Sequence, residues 1–255
     1  MTFIEEIKKA VLFSRSAITA GAEKNVIKKG EFNYATEVDI AVQELLREKL
    51  LKLEDAQFLG EETGADIDWG RPAWVVDPID GTTNLMHGYN HSAVCAAFWD
   101  GGNISCGVIF DPYRDEMYWA QRGKGAYLND EPIHVSDTSD IAHSLIAIET
   151  APYNKELAGE TFGLYKKVFE CCRDLRLSGS AALDFAHLAC GRVDVSLSRV
   201  LSPWDWASGA VLVEEAGGLI CGWDGAPLSL NNAHCDTYGG NLQLKKAIFE
   251  LIGAN

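Results

Sequence analysis

Nowhere in this 255-residue chain do about 18 apolar residues run together, so no membrane-spanning helix is expected. The N-terminus, MTFIEEIKKAVLFSRS, mixes acids and lysines among its apolar residues. It lacks the unbroken apolar core of a signal peptide and reads as a helix. Basic residues are scarce: 22 Lys and Arg face 37 Asp and Glu, a formal net charge of −15. Such a surface repels nucleic-acid phosphates and anionic lipid, so neither nucleic acid nor membrane is an expected partner. A small anionic substrate stays open, because a bound cation reverses the field locally. The seven cysteines (Cys95, Cys106, Cys171, Cys172, Cys190, Cys221, Cys235) are odd in number and form no CxxC. That spacing excludes zinc fingers and thioredoxin-type exchange, and predicts buried free thiols in a reducing cytoplasm.

What is present changes texture along the chain. Apolar residues at 3, 4, 7, 11, 12 and 18 recur at helical spacing, with Gly21 as a stop. A charged, irregular stretch, AEKNVIKKGEFNY, follows. TEVDIAVQELLREKLLKL then gives a second amphipathic helix, opened by Thr36 and Asp39 at capping-box spacing. From Ala56 onward QFLGEE, AWVVD, SAVCAAFWD, ISCGVIF, EMYWAQ and AYLN are short β-rich segments parted by turns such as DGGN and DPYRDE. They predict an antiparallel sheet packed on the two opening helices. After about residue 140, strands (SLIAIET, LRLSG, VDVSLS, LICGWDG) alternate with helices (KELAGETFGLYKKVFECC, SAALDFAHLACG, WDWASGAVLVEEAGG, NLQLKKAIFELIG). The expectation is an α+β lobe over residues 1–140 and an α/β lobe over 141–255, sharing one cleft.

Acids gather at the ends of apolar segments. In AWVVDPIDGTTN, Asp77 and Asp80 flank Pro78 and Ile79 on one turn, and like charges about 4 Å apart repel by roughly 4 kcal/mol at an effective dielectric near 20. Pro78 biases Asp77 toward extended backbone, Gly81 permits a sharp bend, and Thr82 or Thr83 can cap a following helix. FLGEETG places Glu61 and Glu62 at another strand end, and SPWDWASG places Asp205 in the first turn of a helix. Three such junctions are what a carboxylate cage for a hard cation draws upon, and such oxygen ligands suit Mg²⁺ and substrate phosphates. Other chemistries lack their motifs. There is no GxxxxGK[ST] loop, GxSxG elbow or HExxH, and the two aspartates are one residue too far apart for a haloacid-type phosphatase. His87 and His91 lie four apart in a glycine-broken stretch, MHGYNHS, and read as a loop or surface pair rather than a metal site.

Taken together, GEET (60–63), WVVDPIDGTTN (74–84) and PWDWASGAVLVEEAGG (203–218) resemble the inositol monophosphatase family of Mg²⁺-dependent, lithium-sensitive phosphatases. GVIFDPYRDEMYWAQRGKGAYLNDEPI (107–133) and GSAALD (179–184) extend the likeness over nearly the whole chain. The resemblance implies a five-layered αβαβα sandwich and a homodimer. It implies that Glu61, Asp77 and the carbonyl of Ile79 hold one Mg²⁺, that Asp77, Asp80 and Asp205 hold a second, and that Glu61 helps place a third, with Mn²⁺ as a substitute. Gly81 and Thr82 would offer N–H groups to the phosphate, Asp39 and Thr82 would position the attacking water, and Ala181 would lie beside the substrate. Where inositol-type enzymes carry a hydroxyl-binding glutamate, this chain has Ser198 followed by Arg199. An Arg fork suits a bulkier or doubly phosphorylated ligand. Inositol 1-phosphate, fructose 1,6-bisphosphate, NADP(H) and histidinol phosphate all fit the expectation of a small phosphorylated metabolite. A non-catalytic, regulatory member of the fold is the rival expectation. Lys28 is expected near the mouth of the site.

Overall fold

The computed structural model describes residues 2–19, 25–31 and 33–253; Gly21 lies outside them. Helix α1 (Phe3–Leu12) buries Ile4, Ile7, Ala10 and Val11, as its spacing predicts. A short α2 (Arg15–Thr19) follows. Part of the stretch read as irregular is an antiparallel hairpin, β1 (Val26–Gly30) and β2 (Asn33–Thr36). Residues of β1 are largely exposed, so no burial pattern marked it in the sequence. Helix α3 (Glu37–Leu53) opens with the predicted capping box between Thr36 and Asp39.

Next come β3 (Gln57–Gly60), β4 (Ala73–Asp80), α4 (Thr82–His87), β5 (Ala93–Trp99), β6 (Ile104–Asp111), β7 (Glu116–Gln121), β8 (Gly125–Leu128) and β9 (Glu131–Ile133). These strands form one seven-stranded sheet in chain order. It is antiparallel except at its edge, where β3 and β4 run parallel. The rest of the chain supplies β10 (Leu145–Ile148), α5 (Ala158–Phe169), β11 (Asp174–Leu177), α6 (Ala181–Ala189), β12 (Val195–Leu201), α7 (Pro203–Glu215), β13 (Leu219–Gly222), β14 (Cys235–Gly240) and α8 (Leu242–Ile252). Its five-stranded sheet has the order β11-β10-β12-β14-β13.

Side-chain alternation explains the layering. On β4, Trp74 and Val76 face one way, into a core with Ile4, Ile7, Val42 and Leu46 of α1 and α3. Val75 faces the other way, into a core with Phe185 of α6 and Val211 of α7 that also takes in Ala147 and Ile220 of the second sheet. The far side of the second sheet, with Ile146, Val195 and Tyr238, packs on Tyr165 and Val168 of α5 and on Leu244 and Ile248 of α8. The order helix, sheet, helix, sheet, helix is the five-layered αβαβα sandwich expected. Gly209 in α7 permits the tight middle layer: a Cβ there would come within 2.7 Å of the Phe185 side chain. No helix among the described residues is long and apolar enough to cross a membrane.

Candidate active site

In a regular strand, residues three apart point to opposite faces. Asp77 and Asp80 escape this because β4 is irregular: Asp77 pairs with Cys95 but Asp80 with Ala93, so three steps along β4 match two along β5. This bulge adds a residue and re-aims Asp80 to the side that Asp77 faces. The Asp77 carboxylate then accepts the Ile79 N–H (2.9 Å). Gly81 turns the chain into α4 with φ +88, a conformation in which a side chain is strained.

Asp205 arrives on α7, just beyond β12 of the other sheet. Ser202 is the N-cap of α7, Pro203 follows it inside the first turn, and Asp205 closes a capping box by accepting the Ser202 N–H (2.7 Å). One oxygen each from Asp77, Asp80 and Asp205 lie within 4.8 Å of one another. Asp77 and Asp80 are buried and Asp205 half-buried. Burial, and then the neighbouring acids, push the Asp77 and Asp205 carboxyls well above the ordinary range. Burial raises Asp80 to about 6, opposed by hydrogen bonds from the Ser180 hydroxyl and the Ala181 and Ala182 N–H groups. Glu61 is raised to about 7, again by burial first, although Lys29 donates to it and to Glu62 at 2.9 Å each. A buried all-oxygen donor set, mutually repelling and with one oxygen of each aspartate already fixed by a protein donor, fits a hard divalent cation.

Asp39 serves two partners. One oxygen accepts the Thr36 N–H (2.8 Å) and hydroxyl, and the other accepts the Thr82 hydroxyl (2.9 Å). The helix cap and the link to Thr82 therefore coexist. Ala181 opens α6 beside Asp80, with Ser180 as the N-cap. Asn84 of α4 joins the same region by donating to the carbonyls of His91 (2.8 Å) and Ser178 (2.9 Å). Ser198 is buried on β12, and its hydroxyl has no hydrogen-bond partner among the described residues. Arg199 is buried too, but its guanidinium is spent elsewhere: on Glu160 (3.2 Å), Thr161 (3.3 Å) and Asp236 (3.2 Å), and over the Trp223 ring. The hairpin lysine that reaches the acids is Lys29, while Lys28, whose side chain alternates with it along the strand, is exposed. His91 is buried, with Nδ1 3.3 Å from the Arg114 guanidinium, while His87 is the last residue of α4; among the described residues neither belongs to a group of three or more side chains placed to hold a metal.

The sequence pattern of the inositol monophosphatase family matches residues 2–252. It belongs to that family, a family of phosphatases. Inositol monophosphatase 1 of Solanum lycopersicum is 37% identical over 237 residues, which is 90% of this chain and 86% of that protein. A protein of Xylella fastidiosa named Nus factor SuhB is 34% identical over 89% of this chain and 84% of its own length. The solved structure of an inositol monophosphatase from Anabaena superposes with a TM-score of 0.87 at 30% identity, covering 99% of this chain and 95% of that one.

This member of the inositol monophosphatase family also carries a second buried acid pair that the sequence reading did not single out. Glu149, just past the end of β10, accepts the N–H groups of Gly179 (2.9 Å) and Ser180 (3.1 Å). Asp184 accepts the Ser178 hydroxyl (2.8 Å). Burial and then the charge of Asp80 raise Glu149 to about 7, and burial and then Glu149 hold Asp184 well above its usual range. The pair thus braces the turn that delivers Ser180, Ala181 and Ala182 to Asp80. A signal existed: SLIAIET ends an apolar strand on an acid, as FLGEE and AWVVD do.

Proposed function

We propose that the protein is a Mg²⁺-dependent phosphomonoesterase acting on a small sugar or polyol phosphate of the inositol 1-phosphate type. The observation that carries this reading is the convergence of Asp77 and Asp80 from β4 and Asp205 from α7, to within 4.8 Å. Glu61, Asp77 and the Ile79 carbonyl would hold one cation, Asp77, Asp80 and Asp205 a second, and Glu61 a third, with Mn²⁺ acceptable in place of Mg²⁺. Bound cations of this kind lower the pKa of a coordinated water and neutralise charge on the departing oxygen.

The chain's own residues do the rest. Because Thr82 donates its proton to Asp39, its hydroxyl oxygen can accept one from an attacking water, and Asp39 orients the hydroxyl for that. Gly81 and Thr82 offer N–H groups where α4 begins, and Ala181 lines the substrate side. Asp80 and Asp205 set the edge of the substrate pocket, and the short, buried Ser198 side chain leaves room there for a ligand larger than an inositol ring. Fructose 1,6-bisphosphate, NADP(H) and histidinol phosphate are the alternative substrates. In this reading the cleft lies between a lobe of residues 1–140, giving Asp39, Glu61, Asp77, Asp80 and Thr82, and a lobe of residues 141–255, giving Ala181, Ser198 and Asp205. A cytoplasmic, lithium-sensitive homodimer completes the proposal.

Inorganic phosphate release from a panel of these esters, with and without Mg²⁺, tests the reading. Turnover that requires the cation and selects one ester is expected. The likeness to a protein named as a Nus factor favours a second reading, a regulatory role without catalysis. Failure to release phosphate from any ester, in a protein that still binds Mn²⁺, would favour it.

A further inference from the structure

Among the described residues, five other than glycine have a positive φ. Four are Asn or Asp, which tolerate it; the fifth is Val200, at +57. A β-branched side chain in this region is strained, and such strain persists only where surrounding structure enforces it. The surroundings of Val200 can be named. Ser198 pairs with Thr237 and Leu201 with Cys235, so Arg199 and Val200 together stand opposite the single residue Asp236. Asp236 contacts both members of this bulge: one carboxylate oxygen accepts the Val200 N–H (2.9 Å), and the other forms an ion pair with Arg199, 3.2 Å from Nε, outside hydrogen-bond geometry. Arg199 is in turn anchored to α5 through Glu160 and the buried Thr161, and lies over the Trp223 ring, 4.9 Å from its centroid.

Two residues after Val200 the chain reaches the N-cap of α7, and three residues later Asp205. Successive positions on a helix lie about 100° apart, so where the chain enters α7 fixes the direction in which Asp205 points. The bulge therefore sets the phase at which α7 presents Asp205 to Asp77 and Asp80. We propose that Asp236 and Arg199 form a clamp that holds Val200 in its strained conformation and so positions Asp205. Both are positioning residues, acting without contact with substrate. The inference deepens the proposed function and rests on Asp205 as a cation ligand.

Glycine adopts positive φ without help, which gives the clamp a rescue test. In the full chain, Asp236→Ala weakens binding of Mn²⁺ alone, measured by calorimetry, by about 10- to 100-fold, the range seen when the support behind a metal ligand is removed. It lowers kcat comparably, while KM for the ester moves by less than about twofold, since no substrate contact is lost. Adding Val200→Gly to Asp236→Ala returns Mn²⁺ affinity and kcat to near the parent values, because the bulge then forms unaided. If Asp236→Ala behaves as the parent, or if its defect persists with Val200→Gly, the clamp is overturned. Should Asp236→Ala not fold, Asp236→Leu, which fills similar volume but offers the Val200 N–H no acceptor and Arg199 no charge, carries the same comparison under the same criteria. Asp205→Asn, run alongside, separates the two readings. Undiminished Mn²⁺ affinity in that variant overturns the ligand assignment beneath the clamp, whereas lost affinity there beside an unaffected Asp236→Ala overturns the clamp alone.

Discussion

At the end of β4 the left-handed residue is Gly81, at φ +88, whereas at the end of β12 it is Val200, at φ +57. Both turns lead a strand into a helix, both contain a bulge, and both deliver carboxylates to one cluster. They differ in where the information lies. The first turn is built from its own residues: Pro78 presets the backbone, Asp77 accepts the Ile79 N–H, and Gly81 takes the bend without strain. The second depends on residues far away in the chain, Glu160, Thr161, Trp223 and Asp236, to enforce a conformation its own sequence disfavours. A turn carrying two of the three acids is locally encoded, and a turn carrying one is imposed by tertiary contacts.

The strongest way to break that comparison is at the first turn's acid. Asp77→Asn is expected to lower kcat for phosphate release by more than about 100-fold, since a direct cation ligand should matter at least as much as the groups that support one. Its metal-free Tm should not fall, because the substitution removes a buried, repelled carboxylate. Next in size, Thr82→Ala should cost about 100-fold in kcat, the low end of general-base effects, with Thr82→Ser restoring most of it and KM little changed.

Thermal unfolding against pH gives a third test, on the metal-free protein. Glu61 and Glu149 are raised from 4.5 to about 7, and Asp80 from 3.8 to about 6. In this range the folded state binds more protons than the unfolded one, so stability falls as pH rises. The contribution is complete below about pH 4, is lost progressively up to about pH 7, and is absent beyond. Tm should therefore drop by several degrees between pH 5 and 8. Saturating Mg²⁺ at pH 8 should recover much of the loss, as a cation bound only by the folded state stabilises it.

The smallest effect sharpens the contrast directly. Gly81→Ala puts a Cβ 3.0 Å from the Gly179 carbonyl oxygen, at a φ that disfavours it, and should destabilise by about 1–2 kcal/mol. Val200→Gly in the otherwise unaltered protein should raise Tm slightly. Calorimetry should find the two shifts opposite in sign.

Local features were legible in the sequence. The apolar spacing of α1, the capping box of α3, the strand sequence from Gln57 to Leu128 and the acid-bearing junctions at Glu61, Asp77 and Asp205 all depend on near neighbours. The parallel pairing of β3 with β4 was not legible, because a period of two marks a strand without giving the direction of its partner. Nor was β14, whose segment CDTYGG ends in two glycines and is stabilised by pairing with β12 on one side and β13 on the other. The proximity of Glu149 and Asp184, 35 positions apart in the chain, exists only once α6 is docked. Arg199 shows the same limit: its type suggested an anion, but the fold surrounds it with Asp236, Glu160 and an indole.

The placement of α6 and α7 has a further consequence for how this protein can be divided. These helices come from the later part of the chain, yet they cover the inner face of the seven-stranded sheet made by the earlier part. A gene cut near codon 140 would leave the first fragment with Val75, Cys95, Ala97 and Ile109 bare to water, and the second with two helices lacking half their bed. Neither piece is a module that evolution or an engineer can exchange on its own. Only when both are made together, and find one another, would the acids of the cleft meet.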